Sequence, residues 1–220
     1  MCKGHKLIGI LAYGSLISDP GWEIRDQIDH WIPNVKTPFP VEYARRSKSR
    51  ANAPTLVPVP TGKGDSVQAK IIVMKRDVLL NQVVDMLYRR EIHRVGDTEK
   101  VYKEPDGDST NKIRIARIHH LCNRDTVIYT DVAVNIEEIL DENLTDLQKA
   151  NILADAACDS LIEKTYNTCE DGIHYLDAAI QMGVITRLTE PYKQAILRKA
   201  GITQDSLALA REAIANSKGL

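Results

Sequence analysis

The chain reads as an α+β fold: a small closed or strongly curved mixed β-barrel flanked by helices, followed by a helical C-terminal region. Three observations predict it. Short β-like runs recur up to about residue 134, with Pro or Gly at several of their ends, as barrel corners require. Residues 77–90 interrupt them with a helical period, and beyond about residue 136 the pattern stays helical. Strands first and helices last would also suit two domains. At this length one domain over 1–220 is expected, with a β-rich core at about 5–136 and a helical extension at about 137–220.

Residues 7–13 are a nearly continuous apolar run ending at Gly14, the pattern of a buried central strand. Asp19-Pro20-Gly21 signals a turn, and a short helical turn is expected between Trp22 and Trp31. From Val41 to Val73 the character is β, and Thr61-Gly62-Lys63-Gly64-Asp65 connects a hairpin. That connection lacks the Gly-Lys-Ser/Thr ending of a phosphate loop and the helix that should follow it. Val78, Leu79, Val83, Met86 and Leu87 form the apolar stripe of a helix. Strands are expected at 113–121 and 127–134, with a further short one at 100–103. Residues 104–112 make the most polar loop. Thr145-Asp146-Leu147-Gln148 resembles a capping box, and helices are expected at 145–164, 171–183, 189–199 and 204–216, with Gly183 and Gly201 as stops.

Composition excludes several classes of function. Apolar residues make up 43% and charged residues 27%, which excludes disorder and low complexity. With 29 Lys+Arg against 30 Asp+Glu, no global charge favours nucleic acid or an anionic membrane. Aromatics are scarce, with eight Tyr, two Trp and a single Phe, where a base-stacking platform would want more. No stretch approaches the ~20 apolar residues of a membrane span. The initial apolar run lacks the cleavage site of a signal peptide. Cys2, Cys122, Cys158 and Cys169 show neither CxxC nor metal-ligand spacing, so reduced thiols in a cytoplasmic protein are expected.

Three features carry chemistry. Tyr13-Gly14-Ser15-Leu16 closes the first strand, where glycine lets backbone N–H groups turn towards an anion and Ser15 adds a hydroxyl. The plain alternative is a strand running into a turn. Glu91 ends the 77–90 helix, where a carboxylate opposes the helix dipole. There it is either an exposed ion-pair partner or a group drawn into a cleft with a raised pKa. Arg45-Arg46-Ser47-Lys48-Ser49-Arg50 is either a solvated basic face or an attractant for an acidic substrate. His119 and His120, adjacent in a strand, point to opposite faces and cannot share a metal. Cys158 and Cys169 have no base nearby in sequence and read as inert.

In this order the features resemble the γ-glutamylcyclotransferase family, over roughly residues 7–200. The resemblance rests on Tyr13-Gly14-Ser15-Leu16 after the first strand, the basic β-rich stretch from Tyr43 to Pro58, and Leu87-Tyr88-Arg89-Arg90-Glu91 at the helix end. Gly172-Ile173-His174-Tyr175-Leu176-Asp177, running on to Gly183 and Tyr192, completes it. Leu16 in the fourth loop position, followed by Asp19-Pro20-Gly21, is more similar to the glutathione-specific branch. Ile92-His93-Arg94-Val95 departs from the tyrosine-rich segment usual there. The resemblance implies a cyclotransferase that converts a γ-glutamyl peptide or amine to 5-oxoproline and the free amine. Glu91 would be the catalytic acid/base, and Tyr13, Gly14, Ser15, Leu16 and Tyr175 would bind substrate. It implies no metal and no cofactor, a small-molecule γ-glutamyl substrate, and no nucleic-acid or membrane partner; the oligomeric state stays open. The alternatives are a cyclotransferase for γ-glutamyl polyamines and a non-catalytic binding or regulatory protein on the same fold. The positive charge of Arg45–Arg50, Arg89, Arg90 and Arg94 would favour peptides over polyamines, if those side chains face the site.

Overall fold

A computed structural model describes residues 7–106 and 112–220. The described chain is a mixed α+β structure that divides into two compact units, one of residues up to Thr37 with Gln68–Ala133, the other of Pro38–Val67 with Val134–Leu220. Cys2 and most of the polar loop expected at 104–112 lie outside the described residues.

The first unit is built on β1 (Ile8–Ala12), buried at every position. It is followed by α1 (Ser15–Ser18), α2 (Trp22–Arg25) and β2 (Ile28–Lys36). After the excursion into the second unit come β5 (Gln68–Met74), α3 (Leu80–Glu91), β6 (Ile113–Leu121) and β7 (Arg124–Val132). The strands pair in the order β2-β5-β1-β7-β6. β1 runs antiparallel to β5, with Gly9 opposite Val73, and parallel to β7, with Ile10 opposite Ile128. β2 and β6 are the edges, so the described strands make an open mixed sheet, and no closed barrel is found among them. Alternation along β1 sends Ile8, Ile10 and Ala12 into a core with Ile72, Met74, Ile128 and the α3 residues Val83, Val84 and Leu87. Gly9 is required where strands pack closest: a Cβ there would lie 2.6 Å from Ile71 Cγ2.

The 22–31 segment departs from expectation. A single helical turn, α2, is followed by the nine-residue edge strand β2. Pro33 cannot donate a ladder hydrogen bond and Asn34 has φ 58°, so β2 carries the register shift typical of an edge bulge. The strand expected at 100–103 is absent; this stretch is irregular. Cys122 and Asn123, at φ 51° and 59°, make a two-residue turn between β6 and β7, the left-handed pair that matches strand twist in a tight hairpin.

The second unit starts with β3 (Val41–Ser47) and β4 (Ala53–Pro58), an antiparallel ribbon. These strands were expected in the same sheet as 7–14; instead they form a separate two-stranded ribbon, extended by a bridge from Val41 to Asp65, and β4 is packed by helices. Five helices follow: α4 (Asp146–Ser160), α5 (Glu163–Thr168), α6 (Gly172–Gln181), α7 (Thr189–Ala200) and α8 (Leu207–Lys218). The expected capping box forms, with Thr145 Oγ1 accepting from Gln148 N–H. The helix expected over 145–164 breaks at Leu161, where Thr165 Oγ1 bonds the Ser160 and Ile162 carbonyls and starts α5. Asp171 caps α6 by accepting from Ile173 and His174 N–H, and it also holds Arg211 Nε at 2.7 Å. Gly172 lets α6 approach α4, since a Cβ there would sit 2.8 Å from Ala157 Cα.

Candidate functional site

The candidate site in the first unit forms where β1 gives way to α1. Tyr13 anchors the strand end by donating from its hydroxyl to the Thr130 carbonyl of β7 at 3.4 Å. Gly14 has φ 58° and ψ −139°, a region that L side chains avoid, and this turns the chain sharply into α1. Ile17 N–H donates to the Gly14 carbonyl and Asp19 N–H to that of Ser15. In this first turn the N–H groups of Ser15 and Leu16 have no intrahelical acceptor. Leu16 packs its side chain into the core, so any contact it makes with a ligand goes through its backbone.

The last turn of α3 faces this loop. Apolar Val83, Val84, Met86 and Leu87 bury one side of the helix, which orients Arg89, Arg90 and Glu91 at its end. Arg89 does not face a substrate. It is buried and forks the Glu23 carboxylate of α2, with contacts of 2.7–3.1 Å, and Gly96 N–H adds a further bond to Glu23. Burial raises the Glu23 pKa, but the bonds from Arg89 and Gly96 outweigh it and hold the carboxyl below its ordinary value.

Arg90 connects the loop to the carboxylate. Its Nη1 donates to Glu91 Oε1 at 2.8 Å and its Nη2 to Ser15 Oγ at 3.1 Å. Its Nε and Nη2 also share the Asp19 carbonyl at 3.1 and 2.9 Å. Both side chains of the pair are largely shielded, 14% exposed for Arg90 and 19% for Glu91. Ser15 Oγ and Glu91 Oε1 therefore stand one guanidinium and two hydrogen bonds apart, within reach of a single small substrate. Arg94 is exposed.

Tyr175 belongs to the second unit. It lies on α6, buried, with its hydroxyl accepting from Leu56 N–H at 3.3 Å and its ring edge-on to Tyr43. The Arg50 guanidinium lies 5.3 Å over that ring, so part of the basic strip is used in packing. Burial lowers the pKa of Arg45 in the same strip. His120 takes φ 59°, leaving regular strand geometry, with its ring 6.5 Å from that of His119. Among the described residues no three His, Cys, Asp or Glu side chains gather as metal ligands would. Cys122, Cys158 and Cys169 are free thiols, and burial pushes that of Cys158 up to about 11.

One functional-type residue escaped the sequence reading. Glu42, on β3, is fully buried. Its Oε1 accepts from the Thr186 hydroxyl at 2.6 Å and from Tyr43 N–H at 2.9 Å. Burial pushes this carboxyl up to about 7 against the pull of those bonds, and Asp65 adds to the rise. The only local signal was a glutamate within the otherwise apolar run Val41-Glu42-Tyr43-Ala44.

No family model matches the chain, and no curated protein matches it. Among solved structures, one described as the crystal structure of a γ-glutamyl cyclotransferase specific to glutathione, from yeast, aligns with 96% of this chain and 99% of its own. The two are 12% identical and superpose with a TM-score of 0.40, too low to carry chemistry from one to the other. The functional reading therefore rests on the residues.

Proposed function

We propose that the chain is a γ-glutamyl cyclotransferase, releasing 5-oxoproline and a free amine from a γ-glutamyl peptide or amine. The observation that carries this reading is the Arg90 guanidinium, bonded at once to Ser15 Oγ and Glu91 Oε1. It joins a shielded carboxylate to a loop whose Ser15 and Leu16 N–H groups have no intrahelical acceptor, on the scale of one glutamyl group. A solvated Glu91 remote from that loop would have favoured a non-catalytic binder.

The reaction needs little else from the protein. The α-amine of the substrate lies four bonds from its own γ-carbonyl carbon and closes a five-membered ring on it, so proximity is supplied by the substrate and the site must select the rotamer. Glu91 takes a proton from the α-ammonium, and the freed nitrogen attacks the γ-carbonyl carbon. The developing oxyanion is met by the N–H groups at Ser15 and Leu16. As the bond to the leaving nitrogen breaks, Glu91 returns the proton to that nitrogen. After ring closure the attacking nitrogen loses a second proton through Glu91 to the released amine, so the α-ammonium ends as a lactam N–H and the amine leaves as an ammonium, with no other reactant. Tyr13 and Gly14 hold the loop, and Tyr175 remains a proposed substrate-binding residue with its own test below. The free thiols at Cys122, Cys158 and Cys169 are compatible with the cytoplasm.

Glutathione and other γ-glutamyl peptides are the first substrates to try. A γ-glutamyl polyamine is the second, because Glu23 and Glu91 neutralise Arg89 and Arg90, which removes much of the expected repulsion of a cation. Incubating the protein with a panel of both kinds and detecting 5-oxoproline by mass tests the proposal. Product from at least one compound, lost in Glu91→Gln, supports it. A panel with no product from the wild type rejects it.

A further inference from the structure

The Arg90–Glu91 pair presents one positive and one negative group 2.8 Å apart at the end of α3. An α-amino acid carries the complementary pair on its Cα, a carboxylate beside an ammonium. Building on the proposed cyclotransferase activity, we infer that Arg90 binds the α-carboxylate of the substrate while Glu91 receives its α-ammonium, so the site reads the free amino-acid end of a γ-glutamyl compound.

The donor inventory of Arg90 supports this. A guanidinium has five N–H groups. The Asp19 carbonyl takes Nε–H and one Nη2–H, Ser15 Oγ takes the other Nη2–H, and Glu91 takes one Nη1–H. The second Nη1–H has no acceptor among the described residues. The Asp19 carbonyl pins the guanidinium plane from one side, so this donor is held in place rather than swinging on a flexible stem. Ser15 Oγ can give its own hydrogen to the same carboxylate, since it only accepts from Arg90. Docking both charged groups of Cα in this way fixes the rotation about Cα–Cβ, the torsion that five-membered ring closure depends on.

The test compares kcat/KM for a γ-glutamyl peptide with that for the same peptide carrying an α-carboxamide, in wild type, Arg90→Lys, Arg90→Met and Arg94→Met. Binding of L-glutamate and L-isoglutamine, followed by calorimetry, gives a second readout that needs no turnover. Amidation should cost the wild type about ten- to a hundredfold, the range of a charge-assisted hydrogen bond. Arg90→Met should lower turnover of both substrates by loosening Glu91, but the acid by about tenfold or more beyond the amide, so that the acid-to-amide ratio falls towards one. Arg90→Lys should recover part of the loss, and Arg94→Met should match the wild type. An unchanged acid-to-amide ratio in both Arg90 variants, with turnover intact in the wild type, overturns the inference and leaves the cyclotransferase standing. Absence of both turnover and L-glutamate binding in the wild type overturns the two together.

Discussion

The two units each hold a shielded glutamate, in opposite electrostatic surroundings. Glu91 sits at the rim of its unit, paired with Arg90 at 2.8 Å and still partly open to water. Glu42 is sealed within β3, with bonds from the Thr186 hydroxyl and the Tyr43 N–H among those it accepts, and no cation among the described residues makes an ion pair with it. A paired, accessible carboxylate can exchange protons with a small molecule. A sealed one can only trade its proton against the stability of the fold. Burial alone therefore does not mark a catalytic acid; access and a charged partner separate the two roles.

The largest expected effect comes from removing the accessible carboxylate. Glu91→Gln should lower kcat by about 10²–10⁴-fold, the usual contribution of general acid–base catalysis, with denaturant stability nearly unchanged. Near-normal rates in this variant would erase the distinction between the two glutamates.

Glu42 should act on stability alone. Below its ordinary value of 4.5 the carboxyl is neutral in both folded and unfolded chains. As pH rises, the unfolded chain gives up the proton first while the folded chain keeps it, so stability falls until about 7, where the folded carboxyl also ionises. The loss should approach about 3 kcal/mol above that point, at 1.36 kcal/mol per pH unit. Glu42→Gln should flatten this slope and be the more stable protein at pH 8, with turnover unaffected. Urea midpoints from pH 4 to 9 measure it, and an unchanged slope in the variant would refute the assignment.

Smaller effects sharpen the contrast. Ser15→Ala removes one neutral acceptor for Arg90 but keeps the backbone N–H groups, so kcat/KM should fall only about tenfold or less. Tyr175→Phe should cost about 1 kcal/mol of stability through the lost Leu56 N–H bond. A changed KM at unaltered stability would instead put Tyr175 in the substrate site.

The parts of this molecule legible in the sequence are those set by local pattern. β1, α3, β6 and β7 follow from apolar runs and the change of period, and the Thr145 capping box from its spacing. The edge strand β2 was hidden because Ile28–Lys36 alternates poorly and carries Pro33 and Asn34 at its bulge. The open sheet order and the separate β3–β4 ribbon depend on strand partners that no local window contains. Glu91 and the 13–16 loop were each visible and were expected to line one cavity, but Arg90 as the group that joins them was not, since it reaches Ser15 across 75 positions. Arg89 looked equally available until Glu23, 66 positions away, proved to hold it, and Glu42 meets Thr186 across 144.

The central claim is that Glu91 serves an internal attack by the substrate's own amine, and isotope-labelled water tests it most directly. Wild-type protein should convert a γ-glutamyl peptide in H₂¹⁸O to unlabelled 5-oxoproline and one equivalent of free amine, and should leave the α-N-acetylated peptide untouched. Release of ¹⁸O-labelled glutamate, or equal consumption of the acetylated peptide, would show that water is the nucleophile and contradict the account.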